Sequence, residues 1–78
     1  GTIIEDFVEL RPGVNISGNC IIGKYTFIGT NAIVLPNVLI GENVTIGAGS
    51  VVTKDVPGNS MAFGIPAKVI KNLEPHKF

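Results

Sequence analysis

IIGKYTFIGTNAIVLPNVLIGENVTIGAGSVV, residues 21–52, decides the fold. A step of six from Ile22 lands on Ile28, Val34, Ile40, Ile46 and Val52. Carried toward the N-terminus, the same step lands on Ile16, Leu10 and Ile4. Leu, Ile and Val fill about three-tenths of the chain, so nine consecutive hits in any phase have a chance on the order of one in several thousand. Four residues after each anchor come Val8, Val14, Cys20, Thr26, Ala32, Val38, Val44, Ser50 and Val56, all small or β-branched and none charged. Gly23, Gly29, Gly41 and Gly47 directly follow anchors. The remaining positions hold polar residues such as Asp6, Asn19, Lys24, Asn31, Asn37, Glu42 and Asn43.

Neither common period explains this. A helix needs apolar residues at i, i+3, i+4 and i+7, and a hairpin strand alternates and then reverses. Six residues with two inward positions and a corner describe one side of a triangular parallel β-helix. Gly and Asn suit its corners because they tolerate positive φ. Residues 4–57 make nine such sides, or three coils. The anchors then stack in three columns: Ile4, Ile22 and Ile40; Leu10, Ile28 and Ile46; Ile16, Val34 and Val52. The period leaves the hand of the coil open, and parallel crossovers are right-handed in nearly all folds. The β-helix is expected over residues 1–57. Residues 58–78 form a capping loop, a short helix and a tail of the same domain. Pro57-Gly58-Asn59-Ser60 is a turn cluster, Met61-Ala62-Phe63 is expected to close the open end of the prism, and Ala67 to Leu73 reads as the helix.

Composition narrows the function classes. The 78 residues carry six Lys plus Arg against six Asp plus Glu, for zero net charge. Charged residues make up 15%, against about 25% in typical domains. No basic cluster offers a nucleic-acid surface, and apolar runs of a few residues cannot span a bilayer. The single Cys20 precludes an internal disulfide framework and fits a reducing, cytoplasmic compartment. A Gly-Thr start without Met or signal peptide suggests a fragment.

Three stretches carry a family resemblance: DFVELRPGVNISGNCIIGKYTFIGTNAIVLPNVLIGENVTIG (6–47), IGAGSVVTKDVPGNS (46–60) and GIPAKVIKNL (64–73). They resemble the bacterial hexapeptide-repeat acyltransferases, closest to the subgroup of sialic-acid O-acetyltransferases and UDP-amino-sugar N-acetyltransferases. The resemblance implies a left-handed β-helix, a homotrimer, and acetyl-CoA as co-substrate bound between subunits. It implies a sugar acceptor, either a nucleotide sugar or an amino sugar. Aligned through Asp6-Phe7, the family's catalytic His falls immediately before Gly1, so no catalytic residue is assigned within the chain. The coenzyme positions implied are Gly29, Thr30, Gly47, Ala48, Lys54 and Lys68. The glycines and Ala48 would let backbone approach a narrow, amide-rich pantetheine arm, and the lysines would meet phosphates as point charges. Glu9 matches a further coenzyme position at which relatives place His.

Other residues are weighed against plainer roles. His76 is the lone imidazole, a group suited to general-base work, but it lies in the tail, far from any repeat corner. Cys20 occupies an inward column, where a thiol packs as a small hydrophobe. Glu9 and Arg11 read as an exposed ion pair. One His cannot supply the three-His metal site of β-helical carbonic anhydrases. The threonines fall in no single column, which argues against an ice-binding ladder. The alternative to an acetyltransferase segment is a non-catalytic β-helical assembly module.

Overall fold

A computed structural model of the chain describes residues 1–75; His76 lies outside them. Nine short strands wind as a parallel coil. The first face holds β1 (Ile3–Ile4), β4 (Ile21–Ile22) and β7 (Leu39–Ile40). The second holds β2 (Glu9–Leu10), β5 (Phe27–Ile28), β8 (Val44–Ile46), and then β10 (Ser60–Gly64) and β11 (Ala67–Asn72). The third holds β3 (Asn15–Ile16), β6 (Ile33–Val34) and β9 (Val51–Val52). Register follows the six-residue step: Ile4 opposes Ile22 and Ile22 opposes Ile40, Leu10 opposes Ile28 and Ile28 opposes Ile46, Ile16 opposes Val34 and Val34 opposes Val52.

Packing explains why the anchors must be aliphatic. Ile22, Ile28, Val34, Ile40 and Ile46 are fully buried. The second inward column fills the space between them. Cys20, Ala32, Val38 and Val44 are buried there, and Cys20 directs its thiol to the Leu35 carbonyl. Thr26 is buried yet satisfied: its Oγ1 donates to the Gly41 carbonyl and accepts from the Val44 amide. In the first coil Ile4 and Leu10 are exposed.

Every six-residue step turns on a left-handed residue three places past its anchor. These are Phe7, Gly13, Asn19, Tyr25, Asn31, Asn37, Asn43 and Gly49. The left-handed region costs an ordinary L-residue about 1–2 kcal/mol and costs Gly and Asn much less. The first corner, between faces one and two, thus stacks Phe7, Tyr25, Asn43 and Asn59, the last from an added turn. The second corner, between faces two and three, stacks Gly13, Asn31 and Gly49. The third stacks Asn19 and Asn37.

The C-terminal end departs from the sequence expectation in three ways. First, the coil continues past Val52, but the next step is two residues short. Val56 therefore meets Ile40 in the anchor column rather than taking the second inward column. The Asp55 carboxylate accepts from the Leu39 amide across the shortened turn. Second, Met61-Ala62-Phe63 does not lie over the open end. It belongs to β10, which pairs with β8 and sets Ala62 on Ile46. Third, the expected helix from Ala67 is instead strand β11, antiparallel to β10. An isolated helix of seven residues cannot repay its nucleation cost, whereas β10 offers an unpaired edge that a returning strand satisfies and covers. The β-branched Val69 and Ile70 also favour a strand.

Candidate functional site

The second corner brings together the small residues singled out by sequence. Gly29 and Thr30 sit one coil below Gly47 and Ala48, at equivalent positions eighteen residues apart. The coils press together here. A Cβ on Gly29 would lie 2.6 Å from the Ala48 amide nitrogen, and both contacts to Ala48 and Gly47 would be with backbone. Two bonds tie the rungs: Gly29 donates to the Ile46 carbonyl at 2.8 Å and Gly49 to the Thr30 carbonyl at 2.8 Å.

These bonds leave the amides of Thr30 and Ala48 without a protein acceptor among the described residues. Both residues are exposed. Adjacent rungs are about 4.8 Å apart, so the two N–H groups stand one rung apart on exposed residues. The equivalent amides elsewhere are less available. At the first corner they belong to Lys24 and Glu42, which carry long charged side chains. At the third corner Pro36 takes the position and has no N–H. The second corner alone among the described ones pairs consecutive free amides with side chains as small as Gly, Ala and Thr.

Phe63 completes the corner; the sequence marked it for the end cap and not for this site. Its ring packs on Gly47, so that a Cβ there would meet Phe63 Cδ1 at 2.3 Å. Phe63 remains about half exposed, a wall beside the Gly47-Ala48 backbone. Its position depends on the shortened turn after Val52, which no fixed six-residue count foresees. Lys68 stands opposite Phe63 across the β10–β11 pair and is exposed, so it joins the corner. Gly64 is held there by its amide, which donates to Ser50 Oγ.

Lys54 is not brought into this group. It lies in the turn between β9 and Val56, at the third corner. Glu9 and Arg11 form the exposed ion pair expected of them, at 3.0 Å. Cys20 is fully buried. Within one chain the described residues form an open corner and not a closed pocket.

Comparison with known proteins agrees with this geometry. The chain is 48% identical over 66 residues to galactoside O-acetyltransferase of Escherichia coli K12, covering 83% of this chain and 32% of that protein. A maltose O-acetyltransferase from Clostridium difficile 630 superposes with a TM-score of 0.91 at 40% identity, over 94% of this chain and 49% of that one. The acetyltransferase domain of PglB from Neisseria gonorrhoeae FA1090, in complex with acetyl coenzyme A, gives 0.87 at 38% identity over 88% of this chain and 34% of that one. A coil of the opposite hand could not superpose so closely, so the fold is the left-handed parallel β-helix that the resemblance implies. The chain spans about a third of the length of the curated relatives it matches. The model of the bacterial transferase hexapeptide family (six repeats) matches residues 1–34 and 19–54, and the chain belongs to that family.

Proposed function

We propose that these coils form the coenzyme-binding part of an acetyl-CoA-dependent sugar acetyltransferase. The observation that carries this reading is the pair of amides that Thr30 and Ala48 present on exposed residues, one rung apart beneath Phe63. An extended, amide-rich arm laid along this corner can accept from both N–H groups, and no side chain obstructs it. Lys68 offers a positive charge at the upper end for phosphate. The relatives fit: one solved neighbour holds acetyl coenzyme A and another holds CoA with GDP-perosamine.

The chemistry is direct transfer. A base takes the proton from a sugar hydroxyl or amine. The freed oxygen or nitrogen attacks the thioester carbonyl. One corner amide steadies the developing oxyanion, and the coenzyme leaves as thiol or thiolate. No residue among 1–75 is placed as that base, so the reading assigns it to the family's His, aligned immediately before Gly1. An open corner needs a second wall, and we assign that wall to a neighbouring copy in a homotrimer. The outward column Ile3, Ile21 and Leu39 on the first face is 40–55% exposed and suits burial between copies.

Calorimetric titration of coenzyme A tests the reading. The chain is expected to bind, and Ala48→Trp, which fills the corner, to bind at least tenfold more weakly. Absence of binding by both, in a verified trimer, refutes it in favour of an assembly module.

A further inference from the structure

The β10–β11 hairpin is anchored at two ends that do not share a register. At its tip the Gly64 amide donates to the buried Ser50 Oγ at 3.1 Å, and Gly64 faces Ala67 across Ile65-Pro66. At its far end Asn43 holds the outgoing chain. Its Nδ2 donates to the Glu74 carbonyl at 2.8 Å and to Asn59 Oδ1 at 2.9 Å, so both side-chain protons are used. Beside it the Leu73 amide donates to the Asn59 carbonyl at 2.8 Å. Glycine would suit the left-handed position at φ 55 equally well, yet it could make neither side-chain bond.

Between the anchors the strands differ in length: β10 has five residues and β11 has six. A bulge takes up the difference. Gly64, Phe63 and Ala62 face Ala67, Lys68 and Val69; the register then shifts past Ile70, and Met61 and Ser60 face Lys71 and Asn72. In a regular strand, residues three apart lie on opposite faces. Here the extra residue puts Lys68 and Lys71 on one outward face, opposite Phe63 and Met61, with about 7 Å between their backbone positions. An unbroken register from the tip would set Lys71 against the buried Ser60 and turn it to the inner side. Burial does not forbid that, because Val69, on the inner side opposite Ala62, is still 45% exposed. The slip would instead carry Glu74 along the strand by one residue, about 3.3 Å, and break its bond to Asn43. Latch and slip exclude each other.

We propose that Asn43 is a positioning residue for coenzyme binding and acts through Lys71. Its hold on Glu74 keeps the bulge at Ile70, and the bulge keeps Lys71 on the face of Lys68, where it adds a second point charge for the phosphates of the coenzyme. Residues 60–73 carry no carboxylate that would compete for it. Lys68 does not need the latch, because its register is set from the tip through Gly64 and Ser50. The inference rests on the coenzyme reading above. It places a determinant of that binding at the first corner, across the second face from Thr30 and Ala48.

Coenzyme A is titrated by calorimetry into the full chain and its variants. Asn43→Gly keeps the left-handed corner and removes both donated bonds; Asn43→Asp keeps the side-chain shape and removes them too. Both are expected to weaken binding about two- to fivefold, as Lys71→Ala does. Added to Lys71→Ala, Asn43→Gly is expected to cost nothing more; added to Lys68→Ala, its loss multiplies. Hydrogen exchange is expected to quicken at residues 69–72 and to stay unchanged at Ile28 and Ile46. Wild-type affinity in both Asn43 variants, or a loss that multiplies with Lys71→Ala, overturns the proposal while the coenzyme reading stands. Quickened exchange at Ile28 and Ile46, or failure of both variants to fold, also overturns it, because Asn43 would then serve the whole coil. A wild-type chain that binds no coenzyme A overturns both.

Discussion

Gly29→Ala tests the close approach on which the second corner rests. The added methyl would sit 2.6 Å from the Ala48 nitrogen, 2.9 Å from its Cα and 2.9 Å from the Gly47 carbonyl carbon. All three are backbone atoms, so no side-chain rotation relieves them. Ordinary contact begins near 3.4 Å, so the upper coil must retreat by about 0.8 Å at this point. That retreat stretches the 2.8 Å bonds from Gly29 to Ile46 and from Gly49 to Thr30. Overpacking of this kind costs about 1–3 kcal/mol, and the strained bonds place the cost in the upper part of that range. A 78-residue domain holds about 4–12 kcal/mol in all. A loss of about 2–3 kcal/mol lowers Tm by roughly 8–24 °C. Thermal melts followed by circular dichroism measure this, at fixed protein concentration because association shifts Tm. Gly18→Ala is the control: nothing lies within 4 Å of its Cβ, and it is expected to be neutral or stabilising by about 0.4–1 kcal/mol. A Gly29→Ala melt within about 2 °C of wild type would refute the stacking of these rungs.

Ile28→Asp buries an unpaired charge in the middle coil and is expected to unfold the chain, whereas exposed Lys24→Asp changes stability by less than about 1 kcal/mol; equal effects in a urea titration would contradict the inward phase. Thr26→Val removes the hydroxyl that serves the Gly41 carbonyl and the Val44 amide, and is expected to cost about 1–3 kcal/mol by the same titration. Leu39→Asp, in the outward column of the first face, is expected to shift a trimer to the 8.2 kDa single chain in sedimentation equilibrium; a wild-type protein already monomeric at tens of micromolar excludes the trimer.

The anchor columns were legible because nothing local competes with them. Ile4, Ile22 and Ile40 stack only if the step is six, and one aliphatic side chain per step leaves no other solution. The end of the coil was not legible for the same reason. Val56 also falls on an inward column of the unshifted count, so the two-residue slip that moves it against Ile40 leaves no irregularity in the apolar pattern. The strand β11 was hidden by its own spacing: Ala67, Ile70 and Leu73 recur every three residues, as a helix face does. What decides the outcome is the open edge of β10, a non-local feature. The corner column that turns the coil was half visible, as asparagines and glycines. Phe7 and Tyr25 share its phase, and reading them against Asn31 and Asn43 would have marked them as exceptions.

The step also dictates which residues can cooperate. Each hexapeptide carries the chain to the next corner, and three bring it back one rung higher. Residues at one corner must therefore lie about eighteen apart. Thr30 and Ala48 satisfy this, and so do Phe7 and Tyr25. Lys54 lies six past Ala48 and so falls one corner away, however near it is in sequence. For Lys54 to meet a ligand held at the second corner, a neighbouring copy must present its own third corner there. Lys54→Ala is thus expected to weaken coenzyme binding only in the assembled trimer. In a Leu39→Asp monomer the same substitution changes nothing, whereas Lys68→Ala, at the same corner as Thr30 and Ala48, weakens binding in both. Equal loss from Lys54→Ala in monomer and trimer would show that the corner geometry has been misjudged.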